Sequence, residues 1–440
     1  MRKIEQTFPV FAVYRVTPGE PDHFKEFLAL LESAEYFPLH IFRQVRAEVS
    51  KYNIGMGKLI EIQAAIEERE NNGKDLPIAV VLGNQLTPTQ SYNLERELGI
   101  SVIDRVQLVL SIFEQRAYTP ESTLQVELAR AEYELQFHKI RLLEKMGGER
   151  KGWSTTRGGI GRGLGLSRLE LFETDQKRRI KTIERQLERL EVSRREQRKR
   201  RKQSEILSTS LAGYTCAGKT SLLNALSGTG AEVSPKLFTT LSPLSRRSFL
   251  LNGTPFVVTD TIGFIEDLPP SLIAAFRSTL EEGLESECTI VVIDAAEPIP
   301  EILRKTIAVE EILLDLGVSR DQIILALNKC DLLSTDKKNQ IQNQVTAEFS
   351  YPTVQISAVQ SDVNQLLEKL AHLFPPIEIE MILEDAPNLM KLRSFIYDNG
   401  KVLNEKFLND SLQIRFITHY PEGFFRKTAL KMGIRVIACQ

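Results

Sequence analysis

The chain has 440 residues, of which 42% are apolar and 26% are charged, and its formal net charge is −2. This length predicts about three domains, and the composition excludes both a wholly disordered chain and a membrane-embedded one. The first residues have no long apolar core and no small-residue cleavage site, so we expect a cytoplasmic protein. The four cysteines follow neither a zinc-binding nor a disulfide pattern, which predicts free thiols.

Short apolar runs alternate with helix-like stretches over residues 1–118. The runs IAVVLG and ISVIDR have the composition of strands, whereas GKLIEIQAAIEERE and TQSYNLERELG have that of helices. This alternation predicts a small α/β domain.

Residues 119–205 have a different pattern. Apolar residues recur three and four positions apart from Leu124 to about Met146, which predicts one long helix. Eight glycines between Gly147 and Gly165 argue against a regular element there, and helical periodicity resumes after them. We therefore predict an antiparallel helical hairpin with a glycine-rich loop at its tip.

The second helix of this hairpin is strongly basic. Residues 177–202 contain thirteen Lys or Arg and four Glu, so this segment carries a net charge of about +9. A basic helix beside a glycine-rich loop indicates contact with RNA, the alternative being a solvated charged helix. The predicted RNA contacts are Lys151, Trp153, Arg157, Arg162, Arg178 and Arg179.

Residues 206–375 repeat the order strand, loop, helix. The strand candidates are ILSTSLAG, TPFVVTDTIG, CTIVVIDA, QIILALNK and PTVQISA. Such a series predicts a parallel sheet covered by helices. Residues 376–440 predict a further small α/β domain.

A phosphate-binding motif lies between the first of these strands and a helix. The segment from Gly213 to Thr220 fits G-x-x-x-x-G-K-[ST], in which backbone N–H groups and a helix N-terminus bind phosphate. Lys219 is predicted to reach the β- and γ-phosphates, and Thr220 to ligate Mg²⁺. The predicted nucleotide contacts in this loop are Gly213, Tyr214, Thr215, Cys216, Ala217, Gly218, Lys219, Thr220 and Ser221.

Two further segments predict contacts to the metal and the γ-phosphate. Asp260 ends a strand and begins D-x-x-G, so it is placed to hold the Mg²⁺ shell, while Gly263 offers a backbone N–H to the γ-phosphate. Thr240 is our choice for the threonine that closes on Mg²⁺ and the γ-phosphate, and Thr239 is the alternative. The predicted metal ligands are Thr220, Thr240 and Asp260.

Recognition of the base is predicted from N-K-x-D. The carboxylate of Asp331, which follows Asn328 and Lys329, matches the N1–H and 2-amino donors of guanine. Ser357 and Ala358 follow the next strand, where a backbone N–H can meet the guanine O6. All four motifs follow strands in the expected order, so we predict binding of GTP and its hydrolysis to GDP.

Phe264 follows Gly263, where Ras-like GTPases have a glutamine that orients the attacking water. A phenyl ring forms no such hydrogen bond. We therefore predict slow hydrolysis that depends on a partner, with hydrophobic packing as the simpler role of this side chain. The predicted catalytic residues are Lys219, Thr240, Gly263 and Phe264.

The motifs G-Y-T-x-A-G-K-T, L-F-T-T-L, D-T-I-G-F-I-E-D-L-P and N-K-x-D resemble those of the HflX family of translational GTPases. The N-terminal IGMGKLIEI and the loop GGIGRGLG extend the resemblance, which runs from about Gly55 to Ala358. It implies a GTPase that is monomeric off the ribosome and contacts rRNA of the large subunit, in ribosome splitting, recycling or rescue. It leaves open whether ATP binds a second site.

Two other functions stay open. One is an RNA-binding assembly factor for which GTP is only a conformational signal, and the other is a regulatory switch that binds a protein through the hairpin. The predicted fold class is α/β: a P-loop GTPase domain with a parallel-rich sheet, preceded by an α/β domain and the hairpin, and followed by a small α/β domain.

Overall fold

The structure is a computed structural model. It describes residues 8–149, 171–190, 207–228, 244–251, 255–261, 263–264, 284, 286–373, 375, 377–384, 386–408, 411–418, 420 and 422–439. These residues separate into two compact units, the first ending at Leu190 and the second beginning at Leu207. The division into four domains stays a prediction. Among the described helices, none has the length and apolar character that a membrane span requires.

The first unit contains a sheet of four parallel strands in the order β2-β1-β3-β4. Its strands are β1 (Phe8–Val16), β2 (Tyr36–Val45), β3 (Ala79–Leu82) and β4 (Ser101–Ile103). The accompanying helices are α1 (Phe24–Ser33), α2 (Met56–Asn71), α3 (Pro88–Leu98) and α4 (Arg105–Arg116). The α/β domain predicted from the alternating pattern is confirmed.

Local sequence accounts for the ends of α3. The Thr87 side chain accepts the Gln90 N–H and the Gln90 side chain accepts the Thr87 N–H, which together form a capping box. Gly99 ends the helix with a φ of +71°, a conformation that favours glycine. The apolar face of α3 then packs on the core beneath the sheet through Leu94.

The helical hairpin follows α4. It consists of α5 (Pro120–Glu149) and α6 (residues 171–190), which are joined by an ion pair of 2.8 Å between Arg179 and Glu127. The structure extends α5 through Gly147 and Gly148, so the helix ends later than the glycines indicated. A glycine costs a helix only about 1 kcal/mol relative to alanine, and two of them do not end it.

The second unit contains a six-stranded sheet in the order β10-β9-β8-β5-β7-β6. Its strands are β5 (Leu207–Ala212), β6 (Leu244–Phe249), β7 (Pro255–Asp260), β8 (Cys288–Asp294), β9 (Ile323–Asn328) and β10 (Thr353–Gln355). All five predicted strands are confirmed, and all are parallel. The antiparallel edge strand β6 was not predicted, because its two adjacent arginines interrupt the apolar pattern.

The chain order within this sheet creates a ligand crevice. After β5 the chain forms β6 and β7 on one side of this strand and later β8 on the other side. The connections therefore diverge at the carboxyl end of β5, which is where open α/β sheets bind ligands. The helices of this part are α7 (Lys219–Ser227), α8 (Ile299–Asp315), α9 (Thr335–Glu348) and α10 (Asn364–Leu373).

The last part of the chain forms an antiparallel sheet in the order β12-β13-β11-β14. Its elements are β11 (Ile377–Glu384), α11 (Leu389–Asn399), β12 (Lys401–Leu408), β13 (Ser411–Thr418), α12 (Glu422–Lys431) and β14 (Val436–Cys439). Met381, Ile414, Phe416 and Phe425 are fully buried in its core. A small α/β arrangement was predicted here and is confirmed.

Candidate functional site

The predicted nucleotide motifs converge at the carboxyl edge of the six-stranded sheet. Leu211 of β5 lies opposite Asp260, the last residue of β7, and β9 ends at Asn328. The loop that begins at Gly213 therefore lies between the D-x-x-G and N-K-x-D segments. The parallel order of the strands is the cause, because it places all their carboxyl ends at one edge.

Two glycines in the phosphate-binding loop cannot be replaced without strain. Gly213 has a φ of +138°, and a Cβ atom there would lie 2.3 Å from the carbonyl oxygen of Val292. Gly218 has a φ of +97°, and its Cβ would lie 2.3 Å from Nδ2 of Asn328. Both positions combine left-handed backbone with a close neighbour, so glycine is required at each.

Lys219 lies at the centre of this loop. Its Nζ donates hydrogen bonds to the carbonyl oxygens of Gly213 at 3.0 Å and Tyr214 at 2.8 Å, and only 7% of the residue is exposed. Burial lowers the pKa of Lys219 to about 8, against the opposing effect of the Asp260 carboxylate. The Lys219 ammonium group is thus held in position before a ligand binds. Because burial makes its charged form costly, a negatively charged phosphate beside it would stabilise that form.

Thr220 and Asp260 bring together two oxygen atoms that can ligate a metal. The Thr220 hydroxyl donates to Oδ2 of Asp260 at 2.8 Å, and Asp260 is fully buried. Thr261 holds this end of β7 in place, because its hydroxyl donates to the Leu211 carbonyl at 2.6 Å. Hydroxyl and carboxylate oxygens are the ligands that Mg²⁺ prefers, so this pair fits the predicted metal.

Phe264 is attached to the phosphate-binding loop through its main chain. The Thr215 N–H donates to the Phe264 carbonyl at 2.7 Å, and the Phe264 N–H donates to the Gly213 carbonyl at 3.1 Å. The Phe264 residue is 4% exposed. A Cβ on Gly263 would lie 2.9 Å from Nζ of Lys219, so the backbone of D-x-x-G lies directly against that side chain.

Asn328 joins the loops that surround the nucleotide. Its Nδ2 donates to the Ala217 carbonyl at 2.8 Å, and its Oδ1 accepts the Ala358 N–H at 3.0 Å. The Ser357 hydroxyl donates to Oδ1 of Asp331 at 2.6 Å and fixes that carboxylate. Asn328 is therefore positioned to hold the loops, whereas Asp331 is exposed, as the predicted contact with a base requires.

Other residues of the site were missed by sequence analysis. Asp294 ends β8 and accepts a hydrogen bond of 2.5 Å from Nζ of Lys329, whose backbone is left-handed at a φ of +65°. Lys305 on α8 lies 5.3 Å from the centre of the Tyr214 ring and pairs with Glu297 at 2.6 Å. An acidic residue at a strand end, the signal that identified Asp260, was also present at Asp294.

Several predicted residues lie outside the described part of the chain. They are Thr239, Thr240, Lys151, Trp153, Arg157 and Arg162. Of the two remaining RNA candidates, Arg178 is exposed on α6, whereas Arg179 forms its ion pair with Glu127. Ser221 lies in the first turn of α7. The assigned functions of all these residues stay predictions.

Comparison with protein families matches three parts of the chain. Residues 21–114 match the family "GTP-binding GTPase N-terminal", residues 116–201 match "GTP-binding GTPase Middle Region", and residues 208–329 match "50S ribosome-binding GTPase". Together these three matches extend through most of the first unit and the phosphate-binding part of the second.

Two curated relatives align with most of this chain. The chain is 36% identical to "GTPase HflX" of Thermococcus kodakarensis over 87% of this chain and 85% of that protein. It is 38% identical to "GTPase HflX" of Methanocaldococcus jannaschii over 88% of this chain and 90% of that protein. A solved GTP-binding protein from the archaeon Sulfolobus solfataricus in complex with GDP is 26% identical, covers 83% of this chain and 98% of that chain, and has a TM-score of 0.47.

The two GTPase HflX relatives are identical to the chain at more than a third of the aligned positions, over more than four fifths of their own length. The predicted phosphate-binding loop, the Thr220 and Asp260 pair and the predicted base-recognition residues lie together at the carboxyl edge of one sheet. The chain therefore belongs to the HflX family of GTPases.

Proposed function

We propose that this GTPase binds the large ribosomal subunit through its rRNA and acts in ribosome splitting, recycling or rescue. The observation that carries the proposal is the position of Phe264. Phe264 is buried and its main chain is bonded to Gly213 and Thr215. Because its side chain is a phenyl ring, it offers no hydrogen bond to an attacking water. A partner that supplies this function would make hydrolysis depend on binding.

The residues of the site then have distinct functions in GTP hydrolysis. Lys219 contacts the β- and γ-phosphates, and Asp331 accepts the two guanine donors. Thr220 and Asp260 hold Mg²⁺, which neutralises phosphate charge when bound. Asn328 keeps the phosphate-binding loop and Ala358 at a fixed separation. Catalysis is positioning and electrostatic stabilisation, without a general base among the described residues of the site.

The ribosomal partner is supported by two observations. The part of the chain that matches "50S ribosome-binding GTPase" contains the phosphate-binding loop and Asn328. In the first unit, Arg178 presents an exposed guanidinium on the basic helix α6, as a contact to an RNA phosphate requires. A ribosomal function also places the protein in the cytoplasm.

Co-sedimentation with purified large subunits tests the proposal. We expect the full chain to pellet with large subunits in the presence of a non-hydrolysable GTP analogue, and at least tenfold less with GDP. Binding that ignores the nucleotide, together with equal binding to free rRNA, would instead support the assembly factor. A decrease in light scattering by 70S ribosomes on addition of protein and GTP would separate splitting from the other ribosomal functions.

A further inference from the structure

The edge strand β6 presents side chains that the GTPase reaction does not use. Ser245, Arg246, Arg247 and Phe249 are all exposed, and 54% of Phe249 is accessible to solvent. The intervening Ser248 is buried, where its hydroxyl donates to the carbonyl of Leu226 on α7 at 2.5 Å. Because side chains alternate along a strand, Ser245, Arg247 and Phe249 share one face, whereas Arg246 lies on the face of Ser248 and is exposed at the edge of the sheet.

Cross-strand pairs extend this face onto β7. Ser245 lies opposite Thr259, and their hydroxyls are 2.9 Å apart. Arg247 lies opposite Val257, and its guanidinium is 5.1 Å from the centre of the Phe249 ring. The result is a row of hydroxyl, guanidinium and aromatic groups along one edge of the sheet.

This surface is positively charged, and the described residues of the adjacent elements do not compensate the charge. In the described parts of β6, β7 and α7 there is a single acidic residue, Asp260, and it is fully buried. Within those elements, Arg246 and Arg247 therefore have no exposed carboxylate beside them. Elsewhere on the second unit some exposed arginines have such partners, as Arg320 does with Glu310 at 3.2 Å.

The surface also lies beside the nucleotide site. Leu244, the first residue of β6, pairs with Asp260, so the row of exposed groups begins next to the Thr220 and Asp260 pair. A ligand bound along β6 would be within reach of the phosphate edge, where the proposed function requires a partner.

We propose that the β6 edge, defined as Ser245, Arg246, Arg247 and Phe249, is an RNA-binding surface. The two guanidinium groups, one on each face of this edge strand, contact backbone phosphates, and the Phe249 ring supplies a face on which a base stacks. Cations combined with an exposed aromatic and hydroxyl donors fit a nucleic acid, whereas an acidic protein surface would leave the aromatic stacking face unused. This inference rests on the proposed ribosomal function and names one of its contacts.

The salt dependence of binding to purified large subunits provides the test. For the full chain carrying Arg246→Ala and Arg247→Ala, we expect the slope of log affinity against log salt to decrease by roughly 1.5, since each phosphate contact contributes about 0.7 to 0.9. Phe249→Ala is expected to weaken binding about tenfold at fixed salt without changing the slope. GTP turnover in the absence of ribosomes should stay at the wild-type rate in all of these variants.

Lys401→Ala with Lys406→Ala is the matched control, because these are two exposed cations on the edge strand β12. An unchanged slope in the arginine variant, or an equal decrease in the control, would overturn the inference. So would a photo-crosslinker at position 249 that labels ribosomal protein rather than rRNA. Failure of the wild-type chain to bind large subunits at all would instead overturn the proposed function itself.

Discussion

The four-stranded and the six-stranded sheets of this chain have the same local strand order around their central parallel strands but different polar groups at the carboxyl ends of those strands. β1 lies between β2 and β3, as β5 lies between β8 and β7, so each sheet has a point where its connections diverge. In the first sheet, Arg15 donates through Nε to Asn53 at 3.1 Å, and Asn84 exchanges two bonds with the Arg15 main chain at 2.9 and 3.0 Å. These polar groups satisfy one another.

The second sheet uses an asparagine in a similar way but leaves its cation available. Asn328 braces the phosphate-binding loop as Asn84 braces the end of β1, with both of its side-chain polar atoms bonded. Among the described residues, however, the Lys219 Nζ donates to two carbonyl oxygens, on a loop where two glycines allow close approach. The residues of the phosphate-binding loop, and not the arrangement of parallel strands, therefore create the nucleotide site.

Removal of the loop cation should have the largest effect. We expect Lys219→Ala to reduce GTP turnover by about 100-fold or more, because a preorganised donor to the phosphates is lost. Single-turnover assays measure this. Lys337→Ala, which removes an exposed lysine from α9, should keep the wild-type rate. A Lys219 variant within tenfold of wild type would contradict the assigned function of this residue.

A change of the base-recognition carboxylate should have the next largest effect. Asp331→Asn exchanges an acceptor for a donor opposite guanine, so we expect GTP affinity to decrease by roughly 10- to 100-fold. The xanthine nucleotide, which has a carbonyl in place of the 2-amino group, should bind this variant better than GTP does. Fluorescence titration of both nucleotides checks the exchange, and an unaltered preference for GTP would show that another group reads the base.

Loss of the brace should have a smaller effect. Asn328→Ala removes the bonds to Ala217 and Ala358, and we expect GTP affinity to decrease by about tenfold because the loops no longer hold their separation. Asn339→Ala, at an exposed position of α9, is the control. If the two variants bound GTP equally well, the brace would have no part in the site.

The matching change in the first sheet should have the smallest effect on GTP. Arg15→Ala leaves buried Asn53 without this donor, so we expect thermal unfolding of the first unit at a lower temperature, from a loss of about 1 to 3 kcal/mol. GTP turnover without ribosomes should stay within twofold of wild type. Arg96→Ala, which removes an exposed ion pair with Glu97, should change stability by less than about 1 kcal/mol. A large loss of turnover in Arg15→Ala would show that the first sheet takes part in the GTP site.

Sequence alone predicted the parts of the molecule that depend on local pattern. Apolar runs identified the parallel strands β5, β7, β8, β9 and β10, and the motif spacing identified the loop that contains Lys219. The sequence did not predict β6, because an edge strand buries few side chains and its apolar residues therefore show little periodicity. Contacts between distant segments, such as Lys329 with Asp294 or Phe264 with Thr215, depend on how the loops meet in the folded chain. The spacing of residues in the sequence does not predict them.

We propose that a ribosomal partner completes a GTPase site in which Phe264 does not orient water. Single-turnover GTP hydrolysis by the purified chain, with and without large ribosomal subunits, tests it most directly, with Lys219→Ala as the blank. We expect slow hydrolysis alone and stimulation by about 100-fold or more with subunits. Equally fast hydrolysis without subunits would contradict the claim.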